Sequence, residues 1–136
     1  MAGVFVIVVN FRTGPLTVQC LASLAVDVSP PGSGRRVIVV DNCSQDDSVT
    51  EIESAIRRNG WEGWVELLAM PRNGGFAYGN NAAIARARQI DPDLEAVVLL
   101  NPDAVVRPGV LGRLVDELRT AGDDGAEYLI LGLAPS

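Results

Sequence analysis

Four short apolar runs divide the chain, and each is bounded by polar residues or by Gly and Pro. The strongest are VFVIVV (4–9), VIVV (37–40) and AVVLL (96–100), and WVELLAM (64–70) is a weaker fourth. Continuous apolar runs indicate strands that are covered on both faces, because a strand with one wet face alternates apolar and polar residues. The pattern therefore predicts four buried β-strands.

Helical periodicity fills the intervals between these strands. The predicted helices begin near Pro15, near Ser48, at about Phe76 and at Pro108. The second is the best marked, because Ser48 and Glu51 have capping-box spacing, in which each side chain bonds the other residue's backbone N–H. Strands that alternate with helices favour parallel pairing through right-handed crossovers. The predicted fold class is α/β, with an open, mainly parallel sheet and helices on both faces.

Composition excludes several classes of function. The 136 residues include 17 acids and 11 bases, for a net charge of −6, so no clustered basic face for nucleic acid is expected. The chain has no His, and Cys20 and Cys43 lack zinc-site spacing, so both are interpreted as reduced thiols. The first apolar run is too short for a signal peptide or a membrane span. A cytoplasmic location is therefore expected.

Polar clusters follow all four predicted strands. They are NFRTG (10–14), DNCSQDDS (41–48), PRNGGFAYGNN (71–81) and NPDA (101–104). Ligands of open parallel sheets bind at the carboxyl ends of the strands, where the loops and helix N-termini gather. A turn or capping role is as good an explanation of Asp41 alone as a functional one. The four clusters together indicate a ligand site.

Two of these clusters suggest how a phosphorylated ligand could be held. Gly74, Gly75 and Gly79 would let the backbone approach phosphate oxygens, although a tight turn with a closely packed helix explains the same glycines. The loop matches neither GxGxxG nor a Walker sequence. Asp103, at a strand tip opposite Asp41, could hold Mg²⁺ or Mn²⁺ and so neutralise a diphosphate. The alternative for Asp103 is a helix cap.

The four segments together resemble a known family. VIVVNFRT, VIVVDNCSQDDS, NGGFAYGNNAAI and VVLLNPDAVVRPGVLGRL, in this order, resemble the nucleotide-sugar-binding half of family 2 glycosyltransferases of the GT-A fold. Within that family the likeness is to the rhamnosyltransferase-like branch. The resemblance covers about residues 4–118, so residues 1–120 are interpreted as a nucleotide-sugar-binding subdomain and 121–136 as a tail outside it.

The resemblance implies a role for each matching position. Asp41 would recognise the uracil or thymine base of a UDP or dTDP sugar. Asp103 stands for the last acid of the family's DxD motif and would bind the Mn²⁺ or Mg²⁺ that bridges the diphosphate. The other implied nucleotide contacts are Asn10, Phe11, Arg12, Asn73, Gly74, Gly75, Asn80 or Asn81, and Asn101.

The resemblance also implies a reaction. The chain would be the donor domain of an inverting glycosyltransferase whose acceptor is a saccharide or a lipid-linked molecule, the latter placing it at the membrane periphery. Since the family's acceptor half lies beyond the resemblance, no general base is assigned, and the chain alone is expected to transfer no sugar. A non-catalytic nucleotide-binding or interaction module is the alternative. A nucleotidyltransferase is weaker, because only Arg12 and Arg72 could serve a triphosphate.

The fourth predicted strand carries an expectation about assembly. AVVLL has neither charge nor proline, so an uncovered edge there would be a template for pairing with another chain. We expect either self-association through this edge or its coverage by YLILGL (128–133).

Overall fold

The computed structural model describes residues 3–121 and 128–131. Within these ranges the strands are β1 (Val4–Asn10), β2 (Arg35–Asp41), β3 (Val65–Ala69), β4 (Ala96–Leu100) and β5 (Tyr128–Leu131). The helices are α1 (Gly14–Val28), α2 (Ser48–Asn59), α3 (Phe76–Ile90) and α4 (Val110–Ala121). The four predicted strands and four predicted helices are confirmed, and β5 is additional. No helix in the described ranges is long and apolar enough to span a bilayer.

The strands form one parallel sheet in the order β3-β2-β1-β4-β5. The chain builds outward from the central β1 to β3 and then crosses to the other side of β1 for β4. The strand order therefore reverses between β1 and β4, and the loops that follow these two strands diverge. In open α/β sheets such a switch point creates the ligand crevice.

β1 shows why its apolar run is continuous. Val4, Val6 and Val8 pack in one core cluster with residues of α1, α2 and α4, whereas Phe5 and Ile7 pack in a second cluster with residues of α3. Both faces of the strand are covered, so residues 4–8 of the run are removed from water. The expected α/β class with helices on both faces is confirmed.

The segment beyond α4 covers the outer side of β4. β5 pairs with β4 in parallel, from Val97 opposite Tyr128 to Leu100 opposite Leu131. This is one of the two outcomes expected for the apolar edge, and self-association stays a prediction. Residues 132 and 133 of the expected covering segment lie outside the described residues.

The predicted capping box of α2 is not formed. α2 begins at Ser48 itself, its N-cap residue is Asp47, and in the described residues no side chain caps that end in the usual way. The Ser48 backbone N–H instead donates to Asp46 Oδ1 at 2.8 Å. Because Ser48 is the first helical residue, its side chain is one position too late to act as the cap.

Candidate functional site

A cavity of about 310 Å³ lies at the carboxyl edge of the sheet. Its lining residues are Val9, Phe11, Thr13, Asn42, Asn73, Gly75, Phe76 and Pro102. Each of the four strand-end clusters in the sequence contributes at least one of them. The parallel sheet has therefore brought these segments together, as the sequence predicts.

Asn10 anchors a buried network beneath this cavity. Its side chain is 0% exposed, and its Nδ2 donates to Asp41 Oδ1 at 2.8 Å. Its Oδ1 accepts hydrogen bonds from Thr17 Oγ1 at 2.7 Å and from Thr13 Oγ1 at 3.0 Å. Asn10 thus joins the ends of β1 and β2 to the first turn of α1. Both ends of its amide are engaged, so Asn10 positions the loops around the cavity and does not line it.

Asp41 belongs to the same network. It is 3% exposed, and its Oδ1 accepts from Ser44 Oγ at 2.6 Å as well as from Asn10. Its Oδ2 accepts the Ser44 backbone N–H at 3.1 Å. Asp41 lies outside the described lining of the cavity. The structure therefore gives its carboxylate the turn role considered from the sequence, and its contact with a base stays a prediction.

Ser44 holds two strand-end loops in an uncommon conformation. Its Oγ accepts the backbone N–H of Arg12 at 2.9 Å, and its carbonyl oxygen accepts from Arg12 Nε at 3.1 Å. Arg12, Cys43 and Gln45 all have positive φ, of 58°, 60° and 57°, and are the non-glycine residues of that kind in the described ranges. Such conformations cost about 1–3 kcal/mol each and persist where surrounding contacts impose them. This backbone strain is concentrated beside the cavity.

The glycine-rich loop forms another wall. The Asn73 Oδ1 accepts the Gly75 N–H at 2.9 Å, and the Gly75 carbonyl accepts from Asn42 Nδ2 at 2.9 Å. A Cβ on Gly74 would lie 2.4 Å from the Tyr78 ring, and Gly75 has φ +91°. The close approach of Tyr78 thus explains the glycine at position 74, and the positive φ explains the glycine at position 75. Gly75 is the N-cap residue of α3, so the positive end of that helix adjoins the cavity.

The close-packing explanation applies to the third glycine. A Cβ on Gly79 would meet the Val9 side chain at 3.3 Å, so this glycine sets the distance between α3 and the sheet. Asn80, on the same helix, is 5% exposed and donates from Nδ2 to the Phe76 carbonyl at 3.1 Å. Asn81 is exposed. Neither asparagine is among the described lining residues of the cavity.

The NPD segment (101–103) follows β4. Asn101 is exposed, Pro102 lines the cavity and Asp103 is half-buried. Asp103 lies close enough to Cys20 of α1 for its charge to act on that thiol. Burial chiefly, and the Asp103 charge to a lesser degree, raise the pKa of Cys20 to about 12. The segment therefore adjoins both the cavity and the buried face of α1 at Cys20.

Asp103 does not cap α4. That helix begins at Val110, seven residues later, and the Gly109 N–H just before it donates to both Asp27 carboxylate oxygens at 3.1 Å. In the described ranges, no cluster of three or more His, Cys, Asp or Glu could hold a metal ion. A divalent cation at Asp103 would thus take its remaining ligands from water and from phosphate oxygens. Mg²⁺ commonly binds through one or two carboxylates in this way, so the donor set fits.

A larger cavity, of about 770 Å³, lies at the opposite edge of the sheet, where the strands begin. Two of its polar lining residues have partners: Asp91 Oδ2 accepts the Gly3 N–H at 2.9 Å, and Arg35 donates to the Asp27 carbonyl at 3.1 Å. The buried polar atoms that lack a partner in the described residues, Asn42 Oδ1 and Asn80 Oδ1, both lie outside its lining. The smaller cavity is therefore the candidate site.

Sequence reasoning missed several residues of this site. Thr13, Asn42 and Phe76 line the cavity, and Ser44 supports it. Asn42 and Ser44 stand within the quoted DNCS segment, so the whole strand-end segment, rather than its first acid, is the useful signal. Phe76 could have been singled out as an aromatic residue directly after the glycine pair.

Comparisons with known proteins give a family and a fold for this chain. Residues 5–130 match the family model described as glycosyl transferase family 2, so the match extends into β5. The comparison with curated proteins gave no match. The mannosyltransferase PcManGT from Pyrobaculum calidifontis, in complex with GDP-Man and Mn²⁺, is similar with a TM-score of 0.73 and 24% identity. That similarity covers 85% of this chain and 32% of the other.

A second solved structure has the same fold. S. aureus TarS 1-349 in complex with UDP-GlcNAc is similar with a TM-score of 0.67 and 22% identity, over 87% of this chain and 31% of the other. The chain thus spans about a third of the length of these two proteins. The α/β sheet described above is the fold that they share.

Proposed function

The chain belongs to glycosyl transferase family 2, and on that premise we propose that it binds the donor of an inverting glycosyltransferase, a UDP or dTDP sugar. The observation that carries this proposal is the cavity of about 310 Å³, to which all four strand-end segments contribute. The complexes of PcManGT with GDP-Man and of TarS with UDP-GlcNAc support a nucleotide sugar as the class of ligand.

The base of the nucleotide would lie against aromatic side chains. Phe11 and Phe76 line the cavity and are 40% and 56% exposed. Exposed aromatic faces cost free energy in water, and stacking a flat ring on them removes this apolar surface from solvent. Asn10 and Asp41 would support the pocket from beneath by holding the loops that carry these faces.

The diphosphate would lie between the glycine-rich loop and the NPD segment. The backbone of Asn73–Gly75 precedes α3, whose N-terminus favours negative charge. Arg12 is exposed beside the cavity and adds a cation. Asp103, with Asn101 beside it, would hold Mn²⁺ or Mg²⁺, which would supply Lewis-acid stabilisation of the departing diphosphate.

The reaction would be a direct displacement at the anomeric carbon. A base outside the assigned residues removes the proton of an acceptor hydroxyl, whose oxygen attacks the anomeric carbon as the bond to the diphosphate breaks. The acceptor would be a saccharide or a lipid-linked molecule. Assignment to the rhamnosyltransferase-like branch is part of the same proposal and rests on the NGGFAYGNN and NPD segments.

Calorimetric titration with UDP and dTDP, with and without Mn²⁺, tests the proposal. Wild type should bind either nucleotide more tightly with Mn²⁺, and Asp103→Asn should lose that increase because a neutral amide attracts the cation weakly. Asp93→Asn, an exposed acid at the opposite edge of the sheet, should keep it. A folded wild type that binds no nucleotide would contradict the donor site, and an increase that survives Asp103→Asn would contradict the metal ligand.

A sugar-transfer assay separates the enzyme from its alternative. Nucleotide binding without transfer, even when acceptor-domain sequence is supplied in the same chain, would favour a non-catalytic nucleotide-binding module.

A further inference from the structure

One side of α1 holds the loop between β4 and α4, which is the loop that carries Asp103. Ser23 Oγ accepts the backbone N–H of Val106 at 3.0 Å, and both carboxylate oxygens of Asp27 accept the backbone N–H of Gly109 at 3.1 Å. Residues four apart in an α-helix lie on the same side, so the two acceptors face the loop together. They attach the second half of the loop to α1 through its backbone.

The start of the loop meets the same side of α1. Cys20 Sγ donates to the Asn101 carbonyl at 4.0 Å, which is a weak contact because S–H is a poor donor. Cys20 lies three residues before Ser23 and therefore on the same side of the helix. The contacts occur in the same order along the helix and along the loop. The loop thus lies beside α1 from Asn101 to Gly109.

Ser23 uses both functions of its hydroxyl in this arrangement. Its Oγ donates to the Cys20 carbonyl at 2.7 Å while it accepts the Val106 N–H. The first bond fixes the direction of the hydroxyl proton and leaves the lone pairs for the loop. Val106 is 5% exposed, so without Ser23 Oγ its N–H would lose a partner that water cannot easily replace.

Asp103 depends on this attachment because its own side chain is not held. Within the described ranges, the Asp103 carboxylate makes no hydrogen bond or ion pair. The backbone next to it is fixed, since the Ala104 N–H donates to the Asn101 carbonyl at 3.0 Å and Ala104 is 0% exposed. Asp103 lies between the attachment points at Asn101 and Val106. How the backbone is held against α1 therefore decides where its carboxylate lies beside the cavity.

We propose that Ser23 is a positioning residue, which holds the backbone at Val106 on α1 and so fixes the Asp103 carboxylate for cation binding. This inference rests on the proposed function, because it takes Asp103 as the acid that holds Mn²⁺ or Mg²⁺. Ser23 is not among the described lining residues of the cavity, so it acts through the loop. Replacing a residue that orients a metal ligand typically lowers metal affinity by about 10–100-fold.

The test measures how much Mn²⁺ tightens nucleotide binding. Titration calorimetry of the full chain with UDP or dTDP, with and without Mn²⁺, gives this increase as the ratio of two Kd values. Ser23→Ala should lower the ratio by about tenfold, or to one, and leave the Kd without Mn²⁺ close to that of wild type. Ser54→Ala makes the same change at an exposed serine of α2 and should alter neither value.

A double-mutant cycle shows whether Ser23 acts through Asp103. Asp103→Asn by itself should abolish the increase, so adding Ser23→Ala to it should change the ratio no further. A further fall in the ratio would overturn the inference, because Ser23 would then act on the cation by another route.

The remaining outcomes separate this inference from the proposed function. If Mn²⁺ tightens binding to wild type and Ser23→Ala keeps the full increase, the inference is wrong and the metal ligand stands. Equal weakening of binding with and without Mn²⁺ would show a purely structural role and would also overturn it. A wild type that Mn²⁺ does not affect would reject the metal ligand itself, and the inference with it. If Ser23→Ala does not fold, Ser23→Cys decides the question, because its sulfur is a weak acceptor of similar size and should lose the increase in the same way.

Discussion

Replacing Asn10 by alanine should destabilise the protein more than its size suggests. The substitution removes the donor to Asp41 Oδ1 and the acceptor of the Thr13 and Thr17 hydroxyls, all in a site where Asn10 is 0% exposed. Asp41 keeps its bond from Ser44 Oγ. Among the described residues, the buried Thr17 hydroxyl keeps only the Thr13 hydroxyl, at 3.5 Å.

The magnitude follows from which groups lose their partners. A hydrogen bond to a charged group contributes about 1.5–3 kcal/mol, and a buried hydroxyl left unsatisfied costs about 1–3 kcal/mol. Thr13 is half-buried and its hydroxyl can bond water, so losing its hydrogen bond to Asn10 costs little free energy. The free energy of unfolding of Asn10→Ala should therefore fall by about 3–5 kcal/mol, a large part of the 5–15 kcal/mol typical of a domain.

Urea unfolding followed by tryptophan fluorescence measures this loss. Trp61 and Trp64 are 8% and 6% exposed, so their emission should shift when the core opens. Asn81→Ala, an exposed asparagine on α3, is the matched control and should change stability by less than about 0.5 kcal/mol. A loss below about 1 kcal/mol for Asn10→Ala would refute the reasoning, because water would then be replacing the network without cost.

Two further predictions concern ionisable groups that do not line the cavity. Arg86 bonds both carboxylate oxygens of Glu66, at 2.7 and 2.9 Å, and chiefly this hydrogen bonding lowers the pKa of Glu66 from its usual 4.5. The pair should therefore stabilise the fold above pH 4.5 and lose its effect as pH falls through the lowered pKa. The urea midpoints of wild type and Glu66→Gln should differ at pH 7 and converge as the pH falls below that pKa. A difference that persists once Glu66 is protonated would contradict this. Burial mainly raises the pKa of Cys20 to about 12, so Cys20 should resist a thiol reagent at pH 7 until the protein unfolds. The half-exposed Cys43 should react in the native protein. If both thiols react rapidly in the native protein, Cys20 is accessible and this prediction is wrong.

The sequence by itself determined the layered fold of this protein. A strand in the middle of a parallel sheet is covered on both faces, so the run at 4–9 must be continuously apolar, and that pattern is legible without coordinates. The location of the site followed for the same reason. The carboxyl ends of parallel strands lie along one edge, so the clusters after β1, β2, β3 and β4 had to converge there.

The tertiary structure decided which polar side chain faces the cavity. Asp41 is the last residue of β2 and Asn42 follows it, and the acid is the more prominent in the sequence. Its carboxylate is instead engaged by Asn10 and Ser44, and the amide lines the cavity. Local propensity carries no information about this choice, because it depends on donors that other strands and loops bring within hydrogen-bonding distance.

The last strand and the start of α2 depended on the same kind of information. β5 has four residues and pairs with β4, which precedes it by a whole helix. Ser48 looks like a cap in the sequence, but the Asp46 carboxylate accepts its N–H and the helix starts at Ser48. A short strand and a helix terminus gain little free energy from their own residues, so the contacts made across the fold determine where each lies.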